Sequence, residues 1–563
     1  MPSPATSPTA DAEIVAAEAA LWAQGYDAAK LADYQAAHRS LEARTAAQGN
    51  DRRHKFVVFV PVADRPQQLA ACLDSLLTLC RAYGYGGMRD GRWQKVEVVI
   101  AEDSLGAGPI ANDRALAEQY TRLGLATHHF GPDEQTELLA ALDDAERAAL
   151  APVLGDTTPA YRGHKGQGVM RNLAHLYLAR WQRAEPAERL LFWSIDSDQE
   201  FAVKVATPEG DVEAMALSYF HRLDEIFERT DALLLTGKVV GDPPVSPAVM
   251  TGNFLADVLG FLADAAARDP RSACRHHDRD ARREGEAAYH DMAGRFGFRN
   301  ADEAWRYPCP LTGVHSEADC FEHFASRLNG FFYGEHPTRV SRYVHDDLWR
   351  SVQPARTVYA GNYVARPEAL GHFIPFAPLR LRMSGPTLGR LLKAQLGPRF
   401  VSANLPMLHR RTVAGSTQSE FRPGVAQRET RIDMNGEFER QFIGDVMLFA
   451  MERLTAAGYP GWRATTADFC AALDSMRDEL LAEYNARRAD ILAKLARLNG
   501  MLDDPGAWWH PAAHTDVMGN FRNFADNIAR NFADDALWVE RINSPEHWRV
   551  KRSELVAALE RHA

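Results

Sequence analysis

Between residues 55 and 130 the chain alternates short apolar runs with stretches of helical period. KFVVFVPVA (55–63) is nearly all apolar and β-branched, which predicts a strand buried on both faces. PQQLAACLDSLLTLCRAYG (66–84) follows with helical period and a closing glycine. VEVVIAED is a second buried strand ending in two acids, NDRALAEQYTRLG a second helix, and LATHHF a third strand. Strand, helix, strand, helix is the pattern of a doubly wound, mostly parallel α/β sheet, in which ligands sit at the carboxyl ends of the strands. Asp64 and Arg65 follow the first strand; Glu102 and Asp103 end the second.

Residues 131–165 read as a polar helical insertion. GQGVMRNLAHLYLARW is an amphipathic helix, RLLFWSID the next buried strand, and SDQEF the loop after it. DALLLTGKVVGDPP, TVYAGNYVARPEAL and RFVSANLPMLHRRTV each read as a strand running into a turn, short helix or loop. Residues 12 to 48 are helical, with Ile14, Leu21, Trp22, Leu31 and Tyr34 as buried points, and the first ten residues have a disordered composition. Residues 255–330 are mixed, with charged helical stretches such as DRDARREGEAAYHDMAGRF. Past residue 420 the pattern turns helical. Leu473, Met476, Leu480, Leu481, Tyr484, Ile491, Leu495 and Leu498 form one apolar stripe that predicts a core-facing helix. The expected units are a helical extension over 1–53, two halves of one α/β domain over 54–205 and 206–420 (the second with a helical insertion), and a helical region over 421–563.

Composition narrows the function classes. A 563-residue chain exceeds a single core. A net charge of −11 argues against nucleic-acid binding, which needs a basic face. None of the six cysteines forms a CxxC pair, which argues against a zinc cluster, and Cys72 and Cys80 read as helix-packing residues. No signal peptide and no membrane-length apolar run is present, so a cytoplasmic protein without a membrane span is expected.

The candidate chemistry centres on Asp196-Ser197-Asp198. In an extended segment the two acids would point to one side and could share a hard cation such as Mn²⁺ or Mg²⁺. About ten such acidic triplets are expected by chance with 75 acids in the chain, so the weight comes from this triplet's place after an apolar strand. Lys165, among Gly163, Gly166 and Gly168, is a candidate phosphate-side cation.

In order and spacing, FVVFVPVADRPQQLAACLDSLL, VEVVIAEDSLGAG, GVMRNLAHLYLAR and LLFWSIDSDQEF resemble the donor-binding half of GT-A fold glycosyltransferases, especially the family 2 group, over residues 55–205. The resemblance implies a Rossmann-like αβα fold and a UDP- or GDP-linked sugar donor. Pro61, Ala63, Asp64 and Arg65 would line the nucleoside pocket, and Asp103, with Glu102 beside it, would face the base. Arg171 and Asn172 would lie near the donor. Asp196 and Asp198 would engage ribose, metal and diphosphate, with Asp198 catalytic. Asp64 stands where the family commonly has Asn, and Glu102-Asp103 where it has Asp-Asp. TVYAGNYVARPEALGHFIPFAPLRLRMSGPTLGRLL is similar to the acceptor segment of that superfamily. It implies His409 as a third metal ligand, with Arg410 and Arg411 against the leaving diphosphate. Inverting members carry an acid in the acceptor motif, but RMSGPTLG has none, which leans the reading toward retention, as in mannosylglycerate and glucosyl-phosphoglycerate synthases. Asp346 and Asp347 are the alternative base in an inverting reaction. The acceptor is expected to be a soluble hydroxyl compound, and the helical termini suggest a homo-oligomer. Two other readings compete: a sugar-nucleotide pyrophosphorylase, disfavoured because PVADRPQQL lacks a glycine-rich basic loop, and a non-catalytic scaffold on a transferase fold, disfavoured by the intact acidic pair.

Overall fold

The structure is a computed structural model that describes residues 8–155, 163–186, 188–208, 210–244, 246–276, 305–411, 424–428, 430–510 and 515–562. The first seven residues, residues 277–304 with all of DRDARREGEAAYHDMAGRF, and residues 412–423 lie outside the described residues.

The expected strands form, with two short ones (β5 and β8) that the sequence pattern did not predict, and they assemble into two sheets. They are β1 (Lys55–Val62), β2 (Val96–Glu102), β3 (Thr127–Phe130), β4 (Leu190–Ile195), β5 (Gln199–Glu200), β6 (Leu234–Thr236), β7 (Val239–Gly241), β8 (Gln353–Pro354), β9 (Asn362–Ala365), β10 (Phe400–Ser402) and β11 (Met407–His409). The main sheet has eight strands in the order β8-β10-β6-β9-β4-β1-β2-β3. β1 pairs in parallel with both β2 and β4, and β2 with β3; β9 enters antiparallel between β4 and β6. A second sheet, β7-β11-β5, stands beside the end of β4.

All eight residues of β1 are buried, because helices cover both faces of the sheet. Phe56, Val58, Val60 and Val62 face one apolar cluster, shared with helix α3 (Pro66–Tyr83). Val57 and Phe59 face the other, with α5 (Gln167–Ala184). Two N-terminal helices, α1 (Pro8–Trp22) and α2 (Ala28–Gln48), add Ile14, Leu21 and Tyr34 to the first cluster. These two helices therefore pack onto the sheet. α4 (Ala107–Arg122) lies on the same side, with Ala117 and Tyr120 in that cluster.

A third cluster is helical. It joins α6 (Thr251–Ala266) and α7 (Glu317–Arg327) to α9 (Asn435–Ala456), α10 (Thr466–Leu502) and α11 (Thr515–Asn531). The boundary expected at residue 420 cuts across this body, since α6 and α7 precede it in sequence but share its core. The α10 stripe faces inward, as its spacing predicts, with Leu481 only half-buried. Asp445 on α9 accepts from Tyr484 of α10 at 2.6 Å and from Gln441 at 2.9 Å, so a buried acid clips the two helices together. α8 (Ser384–Leu396) bridges the sheet and the helical body, with Leu388 and Leu392 in the sheet cluster and Leu391 in the helical one.

Cys72 and Cys80 are buried packing residues on α3, as expected. Without any CxxC pair, the fold gathers Cys274, Cys309 and Cys320 with His315 into one group. Spacing along the chain missed it because the four residues come from three separate segments.

Candidate functional site

A cavity of about 420 Å³ opens at the carboxyl ends of β1, β2 and β4. Pro61, Val62, Ala63 and Arg65 line it after β1, Asp103 after β2, and Ser197 after β4. His164 to Arg171, the loop from Ile374 to Gly385, and Glu437 and Arg440 of α9 complete the wall.

Two physical features mark this cavity. The first is charge. Among the described residues, six arginines line it (Arg65, Arg171, Arg380, Arg382, Arg411 and Arg440), against two carboxylates in the lining, Asp103 and Glu437. This is a local excess of positive charge in a chain of net −11. The second is the convergence of helix starts. α3, α5 and α8 begin at the cavity, at or next to Arg65, Gly166 and Met383, and none has a side-chain cap; the first turn of α9 also borders it through Glu437, but there Asn435 N–H already donates to Asp433 at 2.8 Å and Glu437 N–H to Gly424 O at 3.0 Å. The first turn of a helix leaves backbone N–H groups unpaired and carries a partial positive charge. Three such starts around one arginine-lined hollow suit an anion.

Strain collects here as well. Among the described residues, six non-glycine residues have positive φ. Three of them line the cavity, His164 (53°), Arg380 (51°) and Met383 (64°), and Asp64 (54°) and Phe376 (61°) are each one residue from a lining residue. Left-handed backbone costs roughly 1–2 kcal/mol per non-glycine residue and persists where the surroundings enforce it, commonly at functional sites.

Asp196-Ser197-Asp198 is a tight turn, closed by Gln199 N–H donating to Asp196 O at 3.1 Å, rather than an extended segment. The two carboxylates therefore part. Asp196 Oδ1 is held by the guanidinium of Arg171, which also donates to Ser194 Oγ at 3.1 Å. Gly361 lets β9 pass close to this acid: a Cβ there would sit 2.8 Å from Asp196 Cγ. Asp198 Oδ2 lies 3.3 Å from both Arg65 and Arg411 and 3.5 Å from His409 Nε2. Burial alone would raise this carboxyl, but His409, then Arg411 and Arg65, overcome it and hold Asp198 well below the usual carboxylate range. Its Oδ1 is buried without a hydrogen-bond partner. His409 Nδ1 donates to Asp242 O at 2.6 Å, which leaves Nε2 turned toward Asp198.

The remaining expected residues divide clearly. Asp103 lines the cavity, but both its oxygens accept backbone amides, from Lys165 and Gly166, each at 2.8 Å. It fixes the loop before α5. Asp64 pairs with His164 at 2.5 Å at the cavity edge. Lys165 is buried away from the lining near Asp103 and Glu102, and burial lowers its pKa despite those acids. Asn172 is fully buried and structural: its amide donates to Val153 O (2.9 Å) and Ile374 O (3.0 Å), and its oxygen accepts from Ile374 N–H (2.8 Å). It holds the loop that forms one wall. Arg410 points outward to Glu200 and Glu213, so Arg411, not Arg410, reaches the cavity. Asp346 and Asp347 do not line it; Asp347 caps the short helix Leu348–Ser351, and Asp346 pairs with Arg350.

Glu102 is fully buried behind the cavity, accepting from Ser104 N–H at 2.8 Å. Asp113 of α4 is buried beside it and is raised to about 9, first by burial and then by Glu102. Between about pH 4 and 9 the folded chain keeps a proton here that the unfolded chain releases, so rising pH erodes stability through this group. Asp113→Asn is expected to raise the melting temperature at pH 8 more than at pH 5, as calorimetry at the two pH values would show.

Sequence reasoning missed His164, Arg380, Arg382, Glu437 and Arg440. RLRM did stand inside the quoted acceptor segment, but as a segment lacking an acid rather than as a source of cations. Glu437 and Arg440 belong to a helix more than 230 residues from the acidic turn, and only packing brings them together.

No family model matches the chain, and no curated protein matches it. Among solved structures, the mannosyltransferase PcManGT from Pyrobaculum calidifontis, in complex with GDP-Man and Mn²⁺, aligns with 93% of this chain and 99% of its own at 11% identity, with a TM-score of 0.31. At that score the likeness carries no weight for fold or chemistry, which rest on the geometry above. Among the described residues, no helix is long and apolar enough to cross a membrane.

Proposed function

We propose that this cavity binds the diphosphate of a nucleotide-sugar donor, UDP- or GDP-linked, and that the chain transfers the sugar to a hydroxyl acceptor. The observation that carries this reading is the convergence of six arginines and three uncapped helix starts at the carboxyl ends of parallel strands. Five of those arginines already share three acids. Arg65 and Arg411 share Asp198, Arg382 and Arg440 share Glu437, and Arg171 holds Asp196. The net positive charge that remains suits a dianion.

Asp196, Asp198 and His409 do not gather as a three-ligand set. The pair Asp198 and His409 does fit Mn²⁺ or Mg²⁺: Asp198 Oδ1 is an unmet buried acceptor, and a carbonyl fixes the His409 ring with Nε2 toward it. A cation bound there would stabilise the charge that develops on the leaving diphosphate. The chain's own part is to orient that diphosphate between Arg65 and Arg411 and to keep Asp196 pinned by Arg171. His409→Ala is expected to weaken Mn²⁺ affinity by about tenfold, the usual order for losing one ligand-side group, read by metal titration.

Among the described residues, both carboxylates in the lining are engaged, Glu437 by Arg382, Arg440 and Ser246, and Asp103 by two amides. A carboxylate tied to two arginines is a weak base. This supports retention, with the acceptor proton passing to the leaving diphosphate. NMR of the first-formed product tests both parts: the anomeric configuration of the donor is expected in the product. An inverted product overturns retention, and no turnover of any nucleotide sugar overturns the transferase reading.

A further inference from the structure

The cysteine–histidine group in the helical body lies outside the cavity, and the proposed transfer does not use it. We propose that Cys274, Cys309, His315 and Cys320 hold one structural zinc ion. Their ligand atoms all lie within 4.8 Å of one another. Cys309 Sγ is 3.4 Å from His315 Nε2 and 3.0 Å from Cys320 Sγ, which is 2.9 Å from Cys274 Sγ. A disulfide would need about 2.05 Å, and none of these cysteines forms one. Tetrahedral zinc bonds of about 2.3 Å to sulfur and 2.05 Å to nitrogen place sulfur about 3.6 Å from nitrogen and about 3.8 Å from sulfur. The Cys309–His315 separation is close to that, and the sulfurs need to open by less than about 1 Å.

The surroundings are those of a ligand set. His315 Nδ1 donates to Gly313 O at 2.8 Å, which turns the Nε2 lone pair toward the sulfurs. The His276 N–H points at Cys274 Sγ at 3.3 Å. Cys274 N–H donates to His315 O at 3.1 Å, and Ala273 bridges to Ser316, so two ligand-bearing segments are paired through their backbones. Ser316 caps α7 in a capping box with Asp319, which places Cys320 in the first turns of that helix. Three thiolates and one imidazole suit zinc rather than Mn²⁺ or Mg²⁺, and four protein ligands leave no open position for catalysis. A cage this tight has room for one ion, not for a multinuclear cluster. Cys309 and Cys320 sit in the helical core beside Phe321 and Phe324, so the ion would staple the segments before α7 onto that body.

Elemental analysis of the full-length purified chain is expected to find about one zinc per chain. Cys309→Ser and Cys320→Ser are expected to fall at least about tenfold below that, while His315→Cys retains it. The unaltered chain guards against misfolded variants: stripping with chelator should expose three additional thiols to alkylation, and Co²⁺ added back should give the thiolate charge-transfer and tetrahedral bands. Zinc far below one per chain in the unaltered protein, a disulfide among the three cysteines, or an iron–sulfur chromophore would each overturn the proposal.

Discussion

Asp198→Asn is expected to lower nucleotide-sugar turnover by about 10³-fold or more while leaving the chain folded. The substitution keeps the shape of the side chain but removes the charge that faces Arg65, Arg411 and His409. The two guanidinium groups then face a neutral amide whose NH₂ cannot accept from them. The arginines lose their aim, and the Asp198–His409 pair no longer fits a cation. Groups that stabilise developing charge are commonly worth about 10²–10³ each, and this change disturbs several at once. Asp198→Ala is the harsher test, since it leaves buried cations uncompensated; removing one partner of a buried pair costs about 3–5 kcal/mol. A steady-state assay with a parallel melting curve separates the two effects. Near-normal turnover in a folded Asp198→Asn protein contradicts the site assignment.

Arg171→Met should be the most damaging single change to stability around the cavity. The side chain is 1% exposed and donates to Asp196, Ser194 and the carbonyl of Gln167. Methionine fills much of the volume but abandons all three, and Asp196 is left near the end of β4 without its cation. The expected loss is about 3–5 kcal/mol, measured by denaturant melts, with Arg171→Lys recovering part of it. A loss below about 1 kcal/mol would mean that Asp196 does not depend on Arg171.

The sheet built from residues 55–205 was legible because its signals are local. An all-apolar β1, the period of α3, and acids where strands end can be read within ten or twenty residues, and β1, β2, β3 and β4 form where that pattern puts them. What failed was any inference about side-chain direction or distant partners. Asp196 and Asp198 were expected to share one side, but a turn after β4 splits them between Arg171 and the Arg65–Arg411–His409 group. Arg410 and Arg411 look equivalent in sequence, yet alternation along β11 and its continuation sends one to Glu200 and the other to Asp198. Asn172 sits in a motif that suggests ligand contact, but its amide matches the backbone of Ile374 and stays in the wall. Glu437, Arg440 and the Cys/His group depend on contacts between segments far apart in the chain, which no local pattern encodes.

The central claim is that the arginine-lined cavity is a diphosphate site. Isothermal titration of the full-length chain with GDP, UDP and the matching nucleosides, with Mn²⁺ present and at two salt concentrations, tests it most directly. At least one nucleoside diphosphate is expected to bind, more weakly as salt rises, while its nucleoside binds at least about a hundredfold more weakly and Arg411→Ala reduces the difference. A nucleoside that binds as tightly as its diphosphate, or no binding by either nucleotide, would contradict it.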